Sequence, residues 1–107
     1  MMIRLAFDPI RTGKGALLSL DPGRGAFRMF KLYHEWNDAN RKLYVASADV
    51  EAVFTEGSCV AVINGKKTAL TTAFTMRDGL PTFDIYDLNK IFGIAYTYED
   101  NNLRVTI

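Results

Sequence analysis

Tyr44-Val-Ala-Ser-Ala-Asp-Val-Glu-Ala-Val-Phe54 aligns without a gap with Thr82-Phe-Asp-Ile-Tyr-Asp-Leu-Asn-Lys-Ile-Phe92, and this pair of stretches decides the predicted fold. Asp49 matches Asp87, Phe54 matches Phe92, and several of the other aligned pairs keep apolar character. Each copy is interpreted as a short strand followed by a helix that opens near an acidic residue and ends at an aromatic residue. Two copies are too few for a solenoid, so the repeat predicts one domain with pseudo-symmetric halves.

Composition is that of an ordinary globular protein. The 107 residues are 49% apolar and 23% charged, which suits a single domain with a modest core. Thirteen basic residues against 12 acidic ones give a net charge of +1. Such a balance supplies no global field for nucleic acid, so no nucleic-acid partner is expected.

Cys59 is the single cysteine, so no intramolecular disulfide can form. It begins the apolar run Cys59-Val-Ala-Val-Ile63, which predicts a buried, inert thiol. The lack of a disulfide fits a reducing compartment but leaves secretion open. The chain shows no signal-peptide pattern and no apolar run of about 18 residues, so membrane insertion is not expected.

The first 42 residues are predicted to form a hairpin region. Strands are predicted at residues 3–7 and 16–20, and the turn sequence Asp21-Pro-Gly-Arg-Gly25 follows the second. Residues 26–36 are ambiguous, because Phe27, Phe30, Tyr33 and Trp36 recur every third residue, as in a helix. The alternation of nearby residues and the preceding tight turn favour a returning strand, which is our prediction.

The rest of the chain carries turn and capping signals. We predict a strand at 42–46, a helix at 48–54 capped by Ser47, and a hairpin around Asn64-Gly65. A turn at 77–79, a strand at 80–85 and a helix at 87–92 with Gly93 as its C-cap follow. Strands at 95–98 and 103–107 close the chain around 99–102, and Leu103, Val105 and Ile107 alternate as buried positions.

These elements predict an α+β fold, with a mostly antiparallel sheet built from hairpins, two short helices and an internal pseudo-repeat of strand, helix and hairpin. A single domain over residues 1–107 is expected. Within it, residues 1–42 form the hairpin region, 43–70 a degenerate first repeat and 71–107 the second repeat.

The second copy carries a set of spaced motifs: Asn64-Gly-Lys-Lys, then Asp78-Gly-Leu-Pro-Thr-Phe, then Asp87-Leu-Asn-Lys-Ile-Phe-Gly93, and finally Val105-Thr-Ile107. Together they resemble the stalk domain, also called the copper amine oxidase N-terminal-like domain, of bacterial surface proteins. The resemblance covers about residues 60–107 well and 43–54 weakly. Asp84 and Ala46 stand where that family usually has proline, and Thr55 replaces the helix-ending glycine.

The resemblance implies an accessory module, often attached to cell-wall hydrolases or other exported proteins, at an extracellular or cell-surface location. In that family the shared motifs are turns and core positions and carry no copper or oxidase chemistry. The implied partners are other domains of a parent protein or cell-wall glycan.

Residues whose side chains could bind a metal or phosphate or act in catalysis each have a simpler structural interpretation. His34 lacks a companion metal-ligand cluster, and Gly13-Lys-Gly15 and Gly23-Arg-Gly25 lack the spacing of a phosphate loop. Asp84 with Asp87, or Glu99 with Asp100, could serve as paired acids, but helix-start and turn roles explain them better. No catalytic residues, metal or cofactor are therefore expected.

Aromatic side chains are the best candidates for binding. Tyr33, Trp36, Tyr96 and Tyr98 could form a flat platform for sugar rings or for an apolar patch on a partner. The alternative, which we favour, is that some of them fill the core. Four basic residues interleave with the first aromatic run and are interpreted as a solvated face: Arg28, Lys31, Arg41 and Lys42.

The sequence therefore predicts a non-catalytic spacer or interaction module that acts by positioning and surface contact, with cell-wall glycan as one candidate partner. The alternative is a structural domain that self-associates into a homo-oligomer through an exposed sheet edge. A small hydrolase would require a cleft that the sequence does not indicate. Any function peculiar to this chain is expected first in residues 26–42.

Overall fold

The computed structural model describes residues 2–4, 10–99 and 102–106, with side chains described for 11–97 and 103–105. The strands are β1 (Met2–Arg4), β2 (Ile10–Arg11), β3 (Ala16–Ser19), β4 (Tyr33–Asn37), β5 (Lys42–Ala46), β6 (Glu51–Thr55), β7 (Val60–Ile63), β8 (Lys66–Ala69), β9 (Thr75–Arg77), β10 (Leu80–Asp84), β11 (Tyr96–Glu99) and β12 (Asn102–Thr106). The helices are α1 (Ala26–Met29) and α2 (Ile85–Phe92), with a 3-10 turn at Pro22–Arg24. The predicted α+β class is confirmed.

The described strands form three antiparallel sheets. Their orders are β1-β12-β11, β2-β3-β10-β9 and β4-β5-β6-β7-β8. The five-stranded sheet is a meander in which each strand pairs with the next along the chain. One core joins the sheets, because buried residues from all three pack in a single cluster.

Two predicted turns form two successive hairpins, β7–β8 and β9–β10. Asn64 and Gly65 have φ values of 49° and 82°, as the type I′ turn between β7 and β8 requires. Asp78 and Gly79, at 52° and 77°, repeat this geometry between β9 and β10. The closing hairpin of β11 and β12 is also confirmed, and Leu103 and Val105 are buried; Ile107 lies outside the described residues.

The predicted helix at 48–54 is wrong, because these residues form a turn and strand β6. Ala52 and Phe54 are buried while Glu51 is exposed, which is the two-residue period of a half-buried strand. Ser47 does use its hydroxyl locally, accepting from the amide of Val50 at 3.2 Å. That hydrogen bond closes a turn between β5 and β6 instead of capping a helix.

The predicted continuous strand over residues 26–36 is also wrong in its first part. Asp21 accepts from the amide of Gly23 at 2.9 Å and begins the 3-10 turn, and α1 follows through Met29. Lys31 then takes a φ of 57°, and β4 begins at Tyr33. The chain therefore bends into a helix before it returns as a strand.

Helix α2 begins two residues earlier than predicted and ends as predicted. Asp84, not Asp87, is its N-cap, and Gly93 ends it at a φ of 72°. Of the two aligned copies, only the second forms a helix, since the residues around Asp49 are an exposed turn. The sequence alignment therefore does not correspond to two copies of one structural unit.

Four phenylalanines form the centre of the core: Phe27, Phe54, Phe74 and Phe83. Phe83 lies with its ring centroid 5.0 Å from that of Phe54 and 5.1 Å from that of Phe74. These rings join the five-stranded sheet to β10, and burying them supplies several of the largest single contributions to folding. Within the part of the chain described, no helix combines the length and apolar character needed to cross a membrane.

Candidate functional site

Two buried carboxylates lie at the start of α2. Asp84 and Asp87 are 2% and 6% exposed. One oxygen of Asp84 accepts from the amide of Tyr86 at 3.0 Å and the other from the hydroxyl of Thr72 at 2.8 Å. Asp87 accepts from the amide of Thr71 at 3.0 Å and from its hydroxyl at 3.0 Å.

This pair holds the segment before β9 against the helix N-terminus. The amide of Thr72 also points to Asp87, at 3.3 Å, so the carboxylates replace the missing partners of backbone N–H groups. Among the described side chains, no buried nitrogen or oxygen lacks a hydrogen-bond partner. The interpretation of Asp87 as helix-start chemistry is therefore refined: Asp84 caps α2, and Asp87 fixes the neighbouring loop.

The other predicted chemical residues are dispersed. His34 stacks on Phe27 with centroids 4.5 Å apart, and no group of three metal-ligating side chains is found within residues 11–97 and 103–105. The prediction of a buried thiol is wrong, because Cys59 is exposed ahead of β7. Glu99 ends β11, opposite Asn102, and Asp100 lies outside the described residues.

The four proposed platform residues are not brought onto one surface. Tyr33 and Trp36 lie three positions apart in one strand, so they point to opposite faces of β4. Tyr33 contacts Tyr44, with centroids 5.9 Å apart, whereas Trp36 faces inward against Phe74 at 6.5 Å. Tyr96 lies on a different sheet. Tyr98, also in β11, pairs with Leu103 of β12, and its side chain lies outside the described residues.

Trp36 lines a cleft of about 290 Å³ between β4, the 3-10 turn and the β9–β10 hairpin. The walls combine apolar and polar groups: Pro22, His34, Glu35, Trp36, Leu43, Met76, Gly79 and Pro81. Arg41 lies over the indole ring at 5.0 Å. The indole is therefore part of the wall and is covered on one side by a cation.

Arg41 is held by two acids and is not an open basic site. Its guanidinium donates to Asp38 at 2.7 Å and to Glu56 at 3.0 Å. The hydrogen bond that Arg41 donates to Glu56 raises the pKa of Arg41, and Asp38 adds to this effect. The exposed Arg28, Lys31 and Lys42 lie on different elements, consistent with a solvated surface.

A second, more open cavity of about 510 Å³ is lined by the loop of Thr12, Gly13, Lys14 and Gly15 together with Arg11 and Tyr96. Lys14 and Lys90 both lie over the ring of Tyr86, at 5.2 and 5.6 Å. The loop is closed by hydrogen bonds between Thr12 and Gly15. Burial raises the pKa of Tyr96 and nearby Asp84 contributes to the shift.

Three of the exposed large apolar side chains lie on the outward side of the five-stranded sheet, which we call the outer face. It consists of Tyr33, Glu35 and Asn37 of β4, Lys42, Tyr44 and Ala46 of β5, Glu51, Val53 and Thr55 of β6, Val60 and Val62 of β7, and Lys67 and Ala69 of β8. Tyr33, Val60 and Val62 remain 59%, 45% and 37% exposed.

Sequence reasoning missed the outer face because the predicted helix at 48–54 removed the middle strand of this sheet. Val60 and Val62 alternate with buried Ala61, and this spacing was visible in the sequence. Adding β6 places Val53 directly between Tyr44 and Val62, which joins the apolar residues into one patch.

Comparison with protein-family models and with curated proteins found no match.

Proposed function

We propose that this chain is a non-catalytic interaction module of stalk-domain type, whose working surface is the outer face. The apolar row of Tyr44, Val53 and Val62 carries the proposal, because it runs unbroken across three strands and a continuous apolar patch is typical of contact surfaces. The exposed Tyr33, whose ring contacts that of Tyr44, and the exposed Val60 extend this row. The buried acids support a non-catalytic role, since their oxygens are occupied by backbone and threonine donors.

The position of Met2 beside Thr106 supports a module that presents a surface more than one that acts as a linear spacer. Met2 pairs with Thr106 across β1 and β12, so any chain on either side of the domain leaves from one end of the same sheet. A module attached in this way projects from its point of attachment, with the outer face available to a partner of apolar and mixed-charge character.

The contact can be tested by comparing cysteine labelling in the producing cells with labelling of the dilute purified protein. In a C59S background, V62C lies on the outer face and G13C lies in the β2–β3 loop. With a partner present at about ten times its dissociation constant, we expect V62C to label about tenfold more slowly in cells than when purified.

G13C is the control and should label at similar relative rates in both settings. A membrane-impermeant maleimide that reaches G13C in intact cells would support the proposed surface location. Equal labelling of V62C in cells and in dilute solution would reject the outer face as a contact surface.

A glycan site at the Trp36 cleft is a second candidate. The observation that favours it is the indole beside the imidazole of His34 in a cleft of about 290 Å³, since sugar rings combine apolar faces with hydroxyl groups. Co-sedimentation with purified cell-wall sacculi tests it. We expect Trp36→Ala to lower the bound fraction and Tyr33→Ala to leave it unchanged; equal retention of both variants would contradict it.

A further inference from the structure

A single row of the outer face crosses all five strands of the sheet. Direct cross-strand pairs connect Glu35 to Tyr44, Tyr44 to Val53, Val53 to Val62 and Val62 to Lys67. An acid therefore stands at one end, a base at the other, and apolar side chains between them. Glu35 and Lys67 are exposed on the two edge strands.

This order is self-complementary under one particular symmetry. A two-fold axis that runs along β6, in the plane between two facing sheets, reverses the strand order and keeps the position along each strand. Val53 then meets its own copy, Tyr44 meets Val62, and Glu35 meets Lys67. An axis perpendicular to the strands would instead place Glu35 against Glu35, which is unfavourable.

We propose that the partner of the outer face is a second copy of this chain, packed sheet to sheet about a two-fold axis along β6. This inference rests on the proposed function, in that it identifies the occupant of the same surface. Each dimer contains two Glu35–Lys67 contacts at its rim around an apolar centre, the usual anatomy of an interface.

Face packing is favoured over the edge pairing suggested by the sequence. Edge strand β8 carries Lys66 and Lys67 in succession, and adjacent lysines on an edge oppose the addition of a further strand. The outer face contains two acids and two lysines, Glu35, Glu51, Lys42 and Lys67. Its net charge of zero means that no overall repulsion separates two copies.

The size of the face sets the expected affinity. Four strand spacings of about 4.8 Å by five residues of about 3.3 Å give a patch of roughly 320 Å². Two such patches fall below the roughly 1,200 Å² that marks stable complexes. A weak dimer is therefore expected, with a dissociation constant on the order of 100 μM, strengthened where the chain is locally concentrated.

Charge exchange gives the decisive experiment, measured by analytical ultracentrifugation of the full chain. E35K makes both ends of the row positive and K67E makes both negative, so we expect each to self-associate at least about tenfold more weakly than the wild type. An equimolar mixture of E35K and K67E restores both attractive contacts in a mixed dimer. The mixture should therefore recover dimerisation that neither variant shows alone.

K66E is the matched control, because it makes the same charge change on the opposite face of β8 and should leave dimerisation within about twofold of the wild type. Glu51 lies on β6 and faces its own copy across the axis, so E51Q should tighten the dimer by a few-fold. Thermal melts establish that all the variants are folded.

A wild-type chain that remains monomeric up to about 1 mM, or a mixture no more associated than its components, would overturn the dimer. Protection of V62C in cells together with a monomeric chain would retain the contact surface while rejecting a second copy as its occupant. If V62C is not protected in cells and the wild-type chain is also monomeric, the contact surface and the dimer are both rejected.

Discussion

The lack of a side chain at Gly15 allows the β2–β3 loop to pack closely against the start of helix α2. A Cβ at this position would lie 2.6 Å from Oδ1 of Asp84 and 3.1 Å from the backbone nitrogen of Tyr86. The β2–β3 loop can approach the cap of α2 this closely only because the residue is glycine. The close approach, not the backbone angle, is therefore the reason for glycine here.

We expect Gly15→Ala to lower the free energy of unfolding by about 1–3 kcal/mol, since it forces Asp84 away from its hydrogen bonds. Gly13→Ala is the control, because nothing lies within 4 Å of its added Cβ, and it should change stability by less than about 0.5 kcal/mol. Urea unfolding of both variants measures the difference. Equal effects would show that Gly15 is not constrained by Asp84.

Asp87 and Asp49 occupy matching positions in the aligned stretches but differ in what surrounds them. Asp87 is buried and accepts from two backbone amides, whereas Asp49 is exposed in a turn. Asp87→Asn turns one accepting oxygen into a donor that faces an amide, so we expect a loss of about 1–3 kcal/mol. Asp49→Asn should cost less than about 0.5 kcal/mol in the same denaturation experiment, and equal losses would contradict the assignment.

The phenol of Tyr44 donates to Glu51 at 3.0 Å, and this hydrogen bond is the main reason that its pKa lies above the usual value. Because the pKa of Tyr44 is raised in the folded state, the neutral phenol stabilises the fold. This stabilisation is fully present below the unfolded pKa of about 10 and is lost as the pH rises through the folded pKa. We expect Glu51→Gln to lower the pKa of Tyr44 in an NMR titration. Tyr96 is the internal control, since burial is the main cause of its raised pKa; a parallel change there would contradict the local explanation.

At the scale of elements, the hairpin of β7 and β8 is joined to β6 by its own turn. The side chain of Asn64 accepts from the amide of Glu51 at 2.9 Å, and its backbone amide donates to the carbonyl of Glu51 at 2.8 Å. Asn64 thus serves as a turn residue and as an extension of the neighbouring strand pair.

Asn64→Ala should therefore destabilise the protein more than Asp78→Ala. Both residues hold a positive φ in a turn that precedes glycine, but only Asn64 also accepts the amide of Glu51. We expect the difference in unfolding free energy to be about 1 kcal/mol. Hydrogen exchange provides a second measure, with faster exchange at the amide of Glu51 in the Asn64 variant alone. Equal destabilisation would assign the whole effect to the turn.

Elements with strong local chemistry could be predicted from the sequence, and those that depend on distant pairing could not. Asn64-Gly65, Asp78-Gly79 and the end of α2 at Gly93 follow from φ requirements that few residues meet. The sequence predicts a helix where β6 lies, because its alignment with the stretch that contains α2 outweighs the alternation of Ala52 and Phe54. Pairing with β5 and β7 determines its structure.

The same reasoning explains what could be said of the candidate site. Trp36 packs against Phe74 and also lines the cleft, so it lies at the boundary between the core and the surface. Once Tyr33 and Trp36 are placed in one strand, their spacing of three positions puts their side chains on opposite faces of that strand. The outer face could not be predicted, because it requires the order of the strands across the sheet, and local sequence patterns do not specify that order.

At the scale of the whole molecule, three sheets share one core while one of them leaves its outward side exposed. The two aligned stretches, residues 44–54 and 82–92, differ in whether they lie at the exposed face or in the interior. The first copy supplies β5 and β6 beneath the outer face, and the second supplies β10 and α2 around the buried acids. Similar sequence patterns therefore form part of the proposed contact surface in one place and an internal brace in the other.

The pairing of Met2 with Thr106 also has a mechanical consequence. Tension applied through these two residues would open the β1–β12 ladder from one end, one hydrogen bond after another, instead of shearing all its bonds together. We expect the domain to yield at low force in a single-molecule pulling experiment, where the unfolding rate governs the response. Pulling instead between G13C and Asp78→Cys, which avoids that ladder, should require more force. A tether through Met2 and Thr106 would thus release strand β1 before the core is disturbed.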